Sequence, residues 1–216
     1  MAEDHVADFE VEEIEDPPPL DPEVAERRRQ ALAQVRQYGD PVLRASARPV
    51  DVFDDELRSE VARMGALMND SLGIGLAATQ VGILHRLLVY RVEPDAPVNA
   101  LVNPVIEFSS DEEEWAEEGC LSLPAVHVEV ERAVFVRVRA MDEHGEDVVV
   151  EASGLEARVI QHEVDHLDGV LILDRAPRAQ RKGALRALRE GESYSPPLAE
   201  QKAADEGEHR EPRTDA

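Results

Sequence analysis

Hydrophobic positions recur every three or four residues in the first third of the chain and again near its end, which is the period of a helix. The first such pattern opens at Asp21-Pro22, an N-cap residue followed by a proline at the first helical position, and runs to Gly39. A second helix is predicted to begin near Asp51 or Asp54. It places five apolar side chains on one face: Leu57, Val61, Met64, Leu67 and Met68.

The middle of the chain changes to the two-residue alternation and the valine-rich composition of β-strands. Strands are predicted over residues 86–92, 100–108, 123–130 and 132–140. A turn at residues 142–145 leads into a further strand at 147–151, which completes a hairpin. Earlier in the chain, residues 40–43 predict a turn followed by an extended piece.

A third helix is predicted directly after these strands. Ser153 and Glu156 have the spacing of a capping box, and Gly169 offers a left-handed stop. One stripe of this helix should face inward: Leu155, Val159, His162, His166 and Val170. A last helix is predicted at residues 179–190, ending at Gly191. Helices flanking antiparallel strands predict an α+β domain, in which the strands pack around the histidine-bearing helix.

Composition divides the chain into a core and two acidic ends. With 216 residues, 43% of them hydrophobic, it can form one domain with a sizeable core. Residues 1–26 carry eleven acidic side chains and no lysine or arginine, and residues 191–216 carry seven acidic and three basic ones, so most of the net charge of −24 lies at the ends. We therefore predict disordered extensions at 1–26 and 191–216 around a catalytic domain at 27–190.

The same composition argues against several classes of function. An acidic chain is poorly suited to binding nucleic acid through phosphate neutralisation. No apolar run approaches the roughly 18 residues that would span a bilayer, and the acidic N-terminus has no secretory signal pattern. One cysteine, Cys120, allows no internal disulfide and fits a reducing compartment. We expect a cytoplasmic protein without a membrane partner or sequence-specific nucleic-acid binding.

Residues 162–166 carry the first sign of chemistry, a His-Glu-x-x-His motif. On a helix, His162 and His166 lie one turn apart on the same face, with Glu163 beside them, which suits a divalent metal and a base. Two histidines on a buried face can also be satisfied core residues. A catalytic metal site needs a third protein ligand and a position left open for water.

Two other segments bear on that choice. Cys120 alone would be an inert buried thiol, but with the two histidines it completes a three-ligand set for a tetrahedral metal. Residues 73–80 (GIGLAATQ) contain two glycines that suit either a close approach of backbone to a ligand or a neighbouring helix, or a tight turn packed on the core. They lack the lysine and hydroxyl residue of a phosphate loop.

Three segments together resemble the signature motifs of peptide deformylases: residues 73–80 (GIGLAATQ), 118–122 (EGCLS) and 161–166 (QHEVDH). Their order and separations match those of the family, and the resemblance extends over roughly residues 38–174. It implies removal of the formyl group from the N-terminal formylmethionine of nascent polypeptides. It also implies that Cys120, His162 and His166 hold one divalent metal, iron(II) in most relatives, with zinc, nickel or cobalt as substitutes.

The resemblance also implies roles for the surrounding residues. A metal-bound hydroxide would attack the formyl carbon, with Glu163 as general base and then acid. The side-chain amide of Gln80 and the backbone N–H of Leu121 would stabilise the developing oxyanion. Four residues are expected to bind substrate, either as backbone partners of an extended peptide or as part of the methionine pocket: Ile74, Gly75, Gly119 and Val159.

Departures from the family pattern lie at the periphery. Leu72 stands where many relatives carry an acidic residue, and His127 where some carry arginine. Two alternatives stay open on the sequence: a zinc metalloprotease built on the same helix, and a ribosome- or protein-binding module with a structural metal, which would need a fourth ligand such as His85 or His127. The predicted basic helix at 179–190 offers a surface for transient ribosome contact, although a solvated face explains its charges as well.

Overall fold

The computed structural model describes residues 20–197, and its elements follow the predicted order of helices, strands and helices. The helices are α1 (Pro22–Leu32), α2 (Asp55–Asp70), α3 (Gly154–Leu167), α4 (Ile172–Arg175) and α5 (Arg178–Glu190). The strands are β1 (Gly75–Ala77), β2 (Leu87–Tyr90), β3 (Asn99–Ser109), β4 (Glu113–Cys120), β5 (Leu123–Ala133), β6 (Phe135–Met141) and β7 (Asp147–Ser153). Short 3₁₀ helices cover Pro41–Arg44 and Ala78–Val81.

Two antiparallel sheets surround α3. Five strands form the larger sheet in the order β1-β2-β3-β6-β7, so that β1 is an edge strand, and β4 pairs with β5 as a separate hairpin. The predicted α+β class with a central histidine-bearing helix is confirmed.

Alternation along β2 shows how the large sheet is covered on both faces. Leu88 and Tyr90 join the cluster that includes Ile160 of α3, whereas Leu87 and Val89 join the cluster that includes Met64 of α2. Successive side chains of a strand point to opposite faces, so one strand serves two cores. A third cluster packs β5 against α4 and α5. Helix α3 is therefore held between the large sheet and the β4–β5 hairpin.

The N-terminal part of the chain differs from the predictions in two places. The first helix ends at Leu32 rather than Gly39, because the following segment donates backbone hydrogen bonds elsewhere: Arg36 N to the Gln80 carbonyl at 2.7 Å and Tyr38 N to the Ser122 carbonyl at 2.9 Å. The turn and extended piece predicted at 40–43 is also wrong. This segment is 3₁₀, with the Asp40 carboxylate accepting from Val42 N at 3.0 Å.

The capping box predicted for α3 is wrong in its bonding, although the helix begins where expected. Ser153 ends β7 in an extended conformation, and its side chain makes no capping bond. Glu156 instead accepts from the Tyr90 hydroxyl at 2.9 Å. Leu155, predicted to face inward, is 55% exposed. By contrast, the predicted stop is confirmed, because Gly169 lies just after the helix at φ +75°.

The predicted boundaries of the acidic ends fall within ordered elements. Residues 22–26, assigned to the extension, form the first turns of α1. Tyr194, assigned to the C-terminal tail, pairs with β5, donating from its N–H to the Ala125 carbonyl and accepting from His127 N, both at 2.8 Å. The rest of both predicted extensions, residues 1–19 and 198–216, lies outside the described residues. No helix within 20–197 has the length and apolarity needed to cross a membrane.

The backbone at Gly169, just after α3, lies close to the backbone of Arg44, and substitution of this glycine tests the contact. A Cβ at this position would lie 2.7 Å from the Arg44 carbonyl oxygen, whereas a Cβ at Gly191, with a similar φ of +71°, would meet nothing within 4 Å. Gly191→Ala should lower the free energy of unfolding by about 1 kcal/mol, from left-handed strain alone, and Gly169→Ala by more than about 2 kcal/mol. Urea denaturation at one fixed metal concentration measures both. Equal losses would contradict the close approach.

Candidate metal centre

The fold brings the three predicted metal ligands together. Cys120 ends β4, and His162 and His166 lie one turn apart on α3, so that one possible ligand atom from each lies within 4.8 Å of the others. Cys120 Sγ is 3.2 Å from His166 Nε2, and the two imidazole rings meet edge to face with centroids 5.0 Å apart. One thiolate and two imidazoles fit a tetrahedral divalent metal with one position left open.

The imidazoles are oriented in different ways. Nδ1 of His162 lies 2.9 Å from the Glu118 carboxylate, which leaves Nε2 for a metal. A carboxylate in this position fixes the ring and increases its basicity as a ligand. Nδ1 of His166 is buried and has no hydrogen-bond partner within residues 20–197, and its ring contacts Cys120 through Nε2 and the His162 ring edge to face.

A fourth protein ligand is missing from the centre in the part of the chain that the structure describes. His85, considered as one, is half exposed and pairs with Glu60 at 2.9 Å. His127, also considered, packs its ring on Gly119, where an added Cβ would lie 2.8 Å from the ring. Neither joins the three-residue group. A group of three ligands with an open position is typical of a catalytic metal site, whereas a closed structural site has four protein ligands.

Glu118 belongs to a buried ion network behind the ligands. Arg132 bonds both of its oxygens, at 2.8 and 2.9 Å, and Arg158 bonds one at 2.8 Å. Arg132 continues to Asp165 at 2.7 Å, and Asp165 also binds Arg175. Burial opposes ionisation of Glu118, but hydrogen bonds from Arg132 and His162 outweigh it and lower its pKa. The carboxylate beside His162 is thus held charged.

Sequence reasoning missed this network, although signals for part of it exist. Glu118 lies two residues before Cys120, where a carboxylate can reach a ligand histidine. Arg132 continues the inward stripe of β5 after Val126, Val128 and Val130, and a charge on such a stripe calls for a buried partner. Nothing local identifies Asp165 as that partner, because the contact depends on how α3 crosses the hairpin.

Glu163 lies beside the three-residue group without belonging to it. It is 4% exposed, and its Oε2 has no hydrogen-bond partner among the described residues. Its other oxygen faces Gly75 so closely that a Cβ there would lie at 2.3 Å. Burial raises the pKa of Glu163 to about 7. A carboxyl group with a pKa near neutrality can both take up and release a proton.

Gln80 is held with its amide nitrogen towards the centre. Its Oε1 accepts from Ala77 N at 2.8 Å, and Nε2 donates to Ser122 Oγ at 3.3 Å and lies 3.7 Å from Cys120 Sγ. The bond from Ala77 fixes which end of the amide is oxygen. Of the two explanations for residues 73–80, the close backbone approach holds, since Gly75 directly adjoins Glu163.

These residues open onto a cavity of about 670 Å³. Its lining includes every residue predicted to bind substrate or stabilise an oxyanion: Ile74, Gly75, Gln80, Gly119, Leu121 and Val159. Cys120, His162 and Glu163 line it as well, and so do two residues of α1, Arg28 and Leu32. The cavity therefore joins the centre, the edge strand β1 and the N-terminal helix.

Comparison with known proteins gives one consistent family. The polypeptide deformylase family model matches residues 32–182. A peptide deformylase of Acidothermus cellulolyticus is 46% identical over 162 residues, 75% of this chain and 88% of that protein. One from Thermotoga neapolitana is 51% identical over 150 residues, 69% of this chain and 90% of that protein. A crystal structure of a Synechococcus elongatus peptide deformylase superposes with a TM-score of 0.69 at 43% identity, covering 74% of this chain and 88% of that one.

The contact between Glu118 and His162 predicts a role in metal affinity. Glu118→Gln keeps the shape but loses the charge that orients the imidazole, so affinity for Zn²⁺ or Co²⁺ should fall about 10- to 100-fold. Glu113→Gln, an exposed carboxylate on the same strand, is the matched control and should change nothing. Competition with a chromophoric chelator measures both. Unchanged affinity in Glu118→Gln would contradict the role.

Removing the buried Arg132 should destabilise the fold more than removing an arginine on the surface. Arg132→Met leaves Glu118 and Asp165 short of a buried partner and should lower the free energy of unfolding by about 3 kcal/mol. Arg137→Met removes a half-exposed pair with Glu151 and should cost less than about 1 kcal/mol. Urea unfolding of both variants at the same metal concentration compares them. Similar losses of unfolding free energy in the two variants would contradict a larger contribution of the buried network to stability.

Proposed function

The chain belongs to the peptide deformylase family and is a metal-dependent hydrolase that removes the formyl group from N-terminal formylmethionine, and on this premise we propose how its own residues do so. The observation that carries the proposal is the position of Glu163. Glu163 lines the cavity beside the Cys120, His162 and His166 group, and its Oε2 has no hydrogen-bond partner among the described residues.

Cys120, His162 and His166 would hold the metal, and we propose iron(II), with zinc, nickel or cobalt as substitutes. The donor set fits, because both imidazoles have Nε2 free of protein hydrogen bonds other than the Cys120 contact. When bound, the metal acidifies water and polarises the formyl carbonyl. Ser122 N, 3.4 Å from Cys120 Sγ, supports the negative charge of the thiolate.

Glu163 would act as the proton carrier. Its buried carboxylate takes the proton of the attacking water and delivers it to the amine that leaves with the peptide. Burial brings its pKa to about 7, close to the pH at which both steps must occur. Its position against the backbone of Gly75 keeps it between β1 and the ligands rather than among them.

Gln80 and Leu121 would stabilise the charge that develops on the formyl oxygen. The Gln80 amide is aimed by the bond that its Oε1 accepts from Ala77 N, and its Nε2 makes only long contacts, so it can turn to a better acceptor. Leu121 lines the same cavity, next to Cys120 in the chain, and its backbone N–H is the second proposed donor.

The edge of β1 would bind the peptide. β1 pairs only with β2 in the described sheet, so its other edge can receive an extended chain at Ile74 and Gly75. Main-chain pairing does not depend on side chains, which suits an enzyme that acts on many nascent polypeptides. Gly119, on the facing β4, would contact the same chain, and the buried Val159 would form part of the methionine pocket.

The two alternatives are not favoured. A zinc protease would use the same helix, but the chain matches the deformylase family over residues 32–182. A closed structural metal would need a fourth ligand. Ribosome contact through α5 stays a prediction, because burial of Gln180, Ala184 and Ala187 against the domain accounts for this helix without a partner. A cytoplasmic location, where formylated chains emerge, is likewise proposed.

The decisive experiment measures formate release from formyl-Met-Ala-Ser by anaerobically purified, iron-loaded protein. Wild type should release formate without cleaving the peptide bonds, which mass spectrometry distinguishes. Glu163→Gln should lower kcat about 10²- to 10⁴-fold while the metal content stays at the wild-type level, because Glu163 is not a ligand. Cys120→Ser should lose metal.

Each outcome bears on a separate part of the proposal. Absence of formate release by wild type would overturn the function. Full activity of Glu163→Gln would overturn the proton-carrier role but leave the function standing. Cleavage between residues would instead favour the protease alternative.

A further inference from the structure

We propose that Arg28 on α1 makes the enzyme prefer nascent chains with an acidic side chain shortly after formylmethionine. The inference rests on the proposed function and concerns a specificity-determining residue outside the family match. The match begins at residue 32, whereas α1 spans Pro22–Leu32. Arg28 and Leu32 nevertheless line the cavity of the metal centre.

Several contacts fix α1 in relation to the site. Asp21 caps the helix, accepting from Glu23 N at 2.8 Å, and Ala31 is buried beneath it. After the helix, Arg36 N donates to the Gln80 carbonyl at 2.7 Å. Gln80 in turn contacts Cys120, so the segment that follows α1 is bonded to a residue of the metal centre. These bonds fix the backbone of α1 beside the cavity.

Arg28 retains free hydrogen-bonding capacity. Its Nε donates to the Ser71 carbonyl at 3.4 Å, and within residues 20–197 it has no carboxylate within ion-pair distance. Its neighbour Arg29, in contrast, is neutralised by Glu26 through bonds of 2.6 to 2.9 Å. Of the two described arginines that line the cavity, Arg158 is paired with Glu118, so Arg28 is the one whose guanidinium is left for a ligand. Its planar fork of donors suits a carboxylate.

The path of the substrate leads towards this side chain. The C-terminal end of β1, at Ala77, is bonded to Gln80 next to the metal ligands. The residues that precede β1 in the chain include Leu72 and Ser71, and Arg28 donates to the Ser71 carbonyl. A peptide whose formyl group lies at the ligands and whose backbone pairs with β1 therefore runs towards α1. Leu32 and the 53%-exposed Leu72 supply apolar contact along this part of the cavity.

The opposite charge on the cavity wall makes the preference depend on position. Glu117 on β4 also lines the cavity, is exposed and has no ion pair among the described residues. The other arginine that lines the cavity, Arg158, is 12% exposed and donates to Glu118 and to the backbone carbonyls of Val130 and Glu114. An acidic side chain should therefore be favoured only where it faces α1, and not at every position.

The test uses amidated peptides based on formyl-Met-Ala-Ser-Ser, so that no terminal carboxylate interferes. Each of the three positions after methionine carries Asp, Asn or Lys in turn. Wild type should prefer Asp to Asn by about threefold to fivefold in kcat/KM at one of these positions, and the preference should fade in high salt. Arg28→Glu should invert it there, so that Lys becomes preferred.

Matched controls keep the result interpretable. Arg29→Glu introduces the same charge change on the same helix, but on a residue already paired with Glu26, and should leave the wild-type preference in place. Each readout is a ratio of substrates within one protein, so partial unfolding cancels. No preference in wild type, or the same change in Arg29→Glu, would overturn the inference. Failure to deformylate the Asn peptides at all would instead count against the proposed function.

Discussion

The buried pairing of Glu118 with Arg132 is the interaction on which the rest of the structure depends. Glu118 and Cys120 belong to the β4–β5 hairpin, whereas His162, His166 and Asp165 belong to α3, so two separate pieces of the fold must meet to make one metal centre. Arg132 bonds Glu118 on its own hairpin and Asp165 on the helix. Burying these charges is costly unless each finds its partner, so an arrangement of hairpin and helix that misplaces the ligands also leaves a buried charge unpaired.

Close packing sets the second constraint, at β1. Glu163 can stand beside the ligands only because Gly75 lacks a side chain, and the same short strand presents an unpaired edge to the cavity. The proposed catalytic carboxylate and the proposed peptide-binding edge are therefore parts of one contact. A larger residue in place of Gly75 would displace Glu163 and would also change the shape of the edge proposed to bind the substrate.

Within the described residues, the sequence predicted four of the five α-helices and five of the seven strands, and it predicted the group of Cys120, His162 and His166, because these follow from periodicity and from chemistry local to short motifs. It failed where tertiary bonding overrides local preference. The first helix stops at Leu32 because Arg36 and Tyr38 bond to the site rather than to the helix. β4 escaped prediction because its glutamates hide the alternation of a strand that pairs only with β5. The partnership of Arg132 with Asp165 depends on the crossing of α3 over the hairpin, which no local pattern encodes.

The hydrogen bonds of the polar side chains near the metal centre distinguish the buried ion network from the residues that we propose act on the substrate. The carboxylates of the ion network are saturated: Glu118 has three partners, and Asp165 has two arginines. Glu163 and Gln80 are not, since one Glu163 oxygen has no partner among the described residues and the Gln80 amide nitrogen makes only long contacts. Native proteins leave few buried groups unpaired, because each one destabilises the fold. A ligand in the cavity that completes the bonds of Glu163 and Gln80 accounts for both, and Arg28 extends that pattern to the helix that precedes the family match.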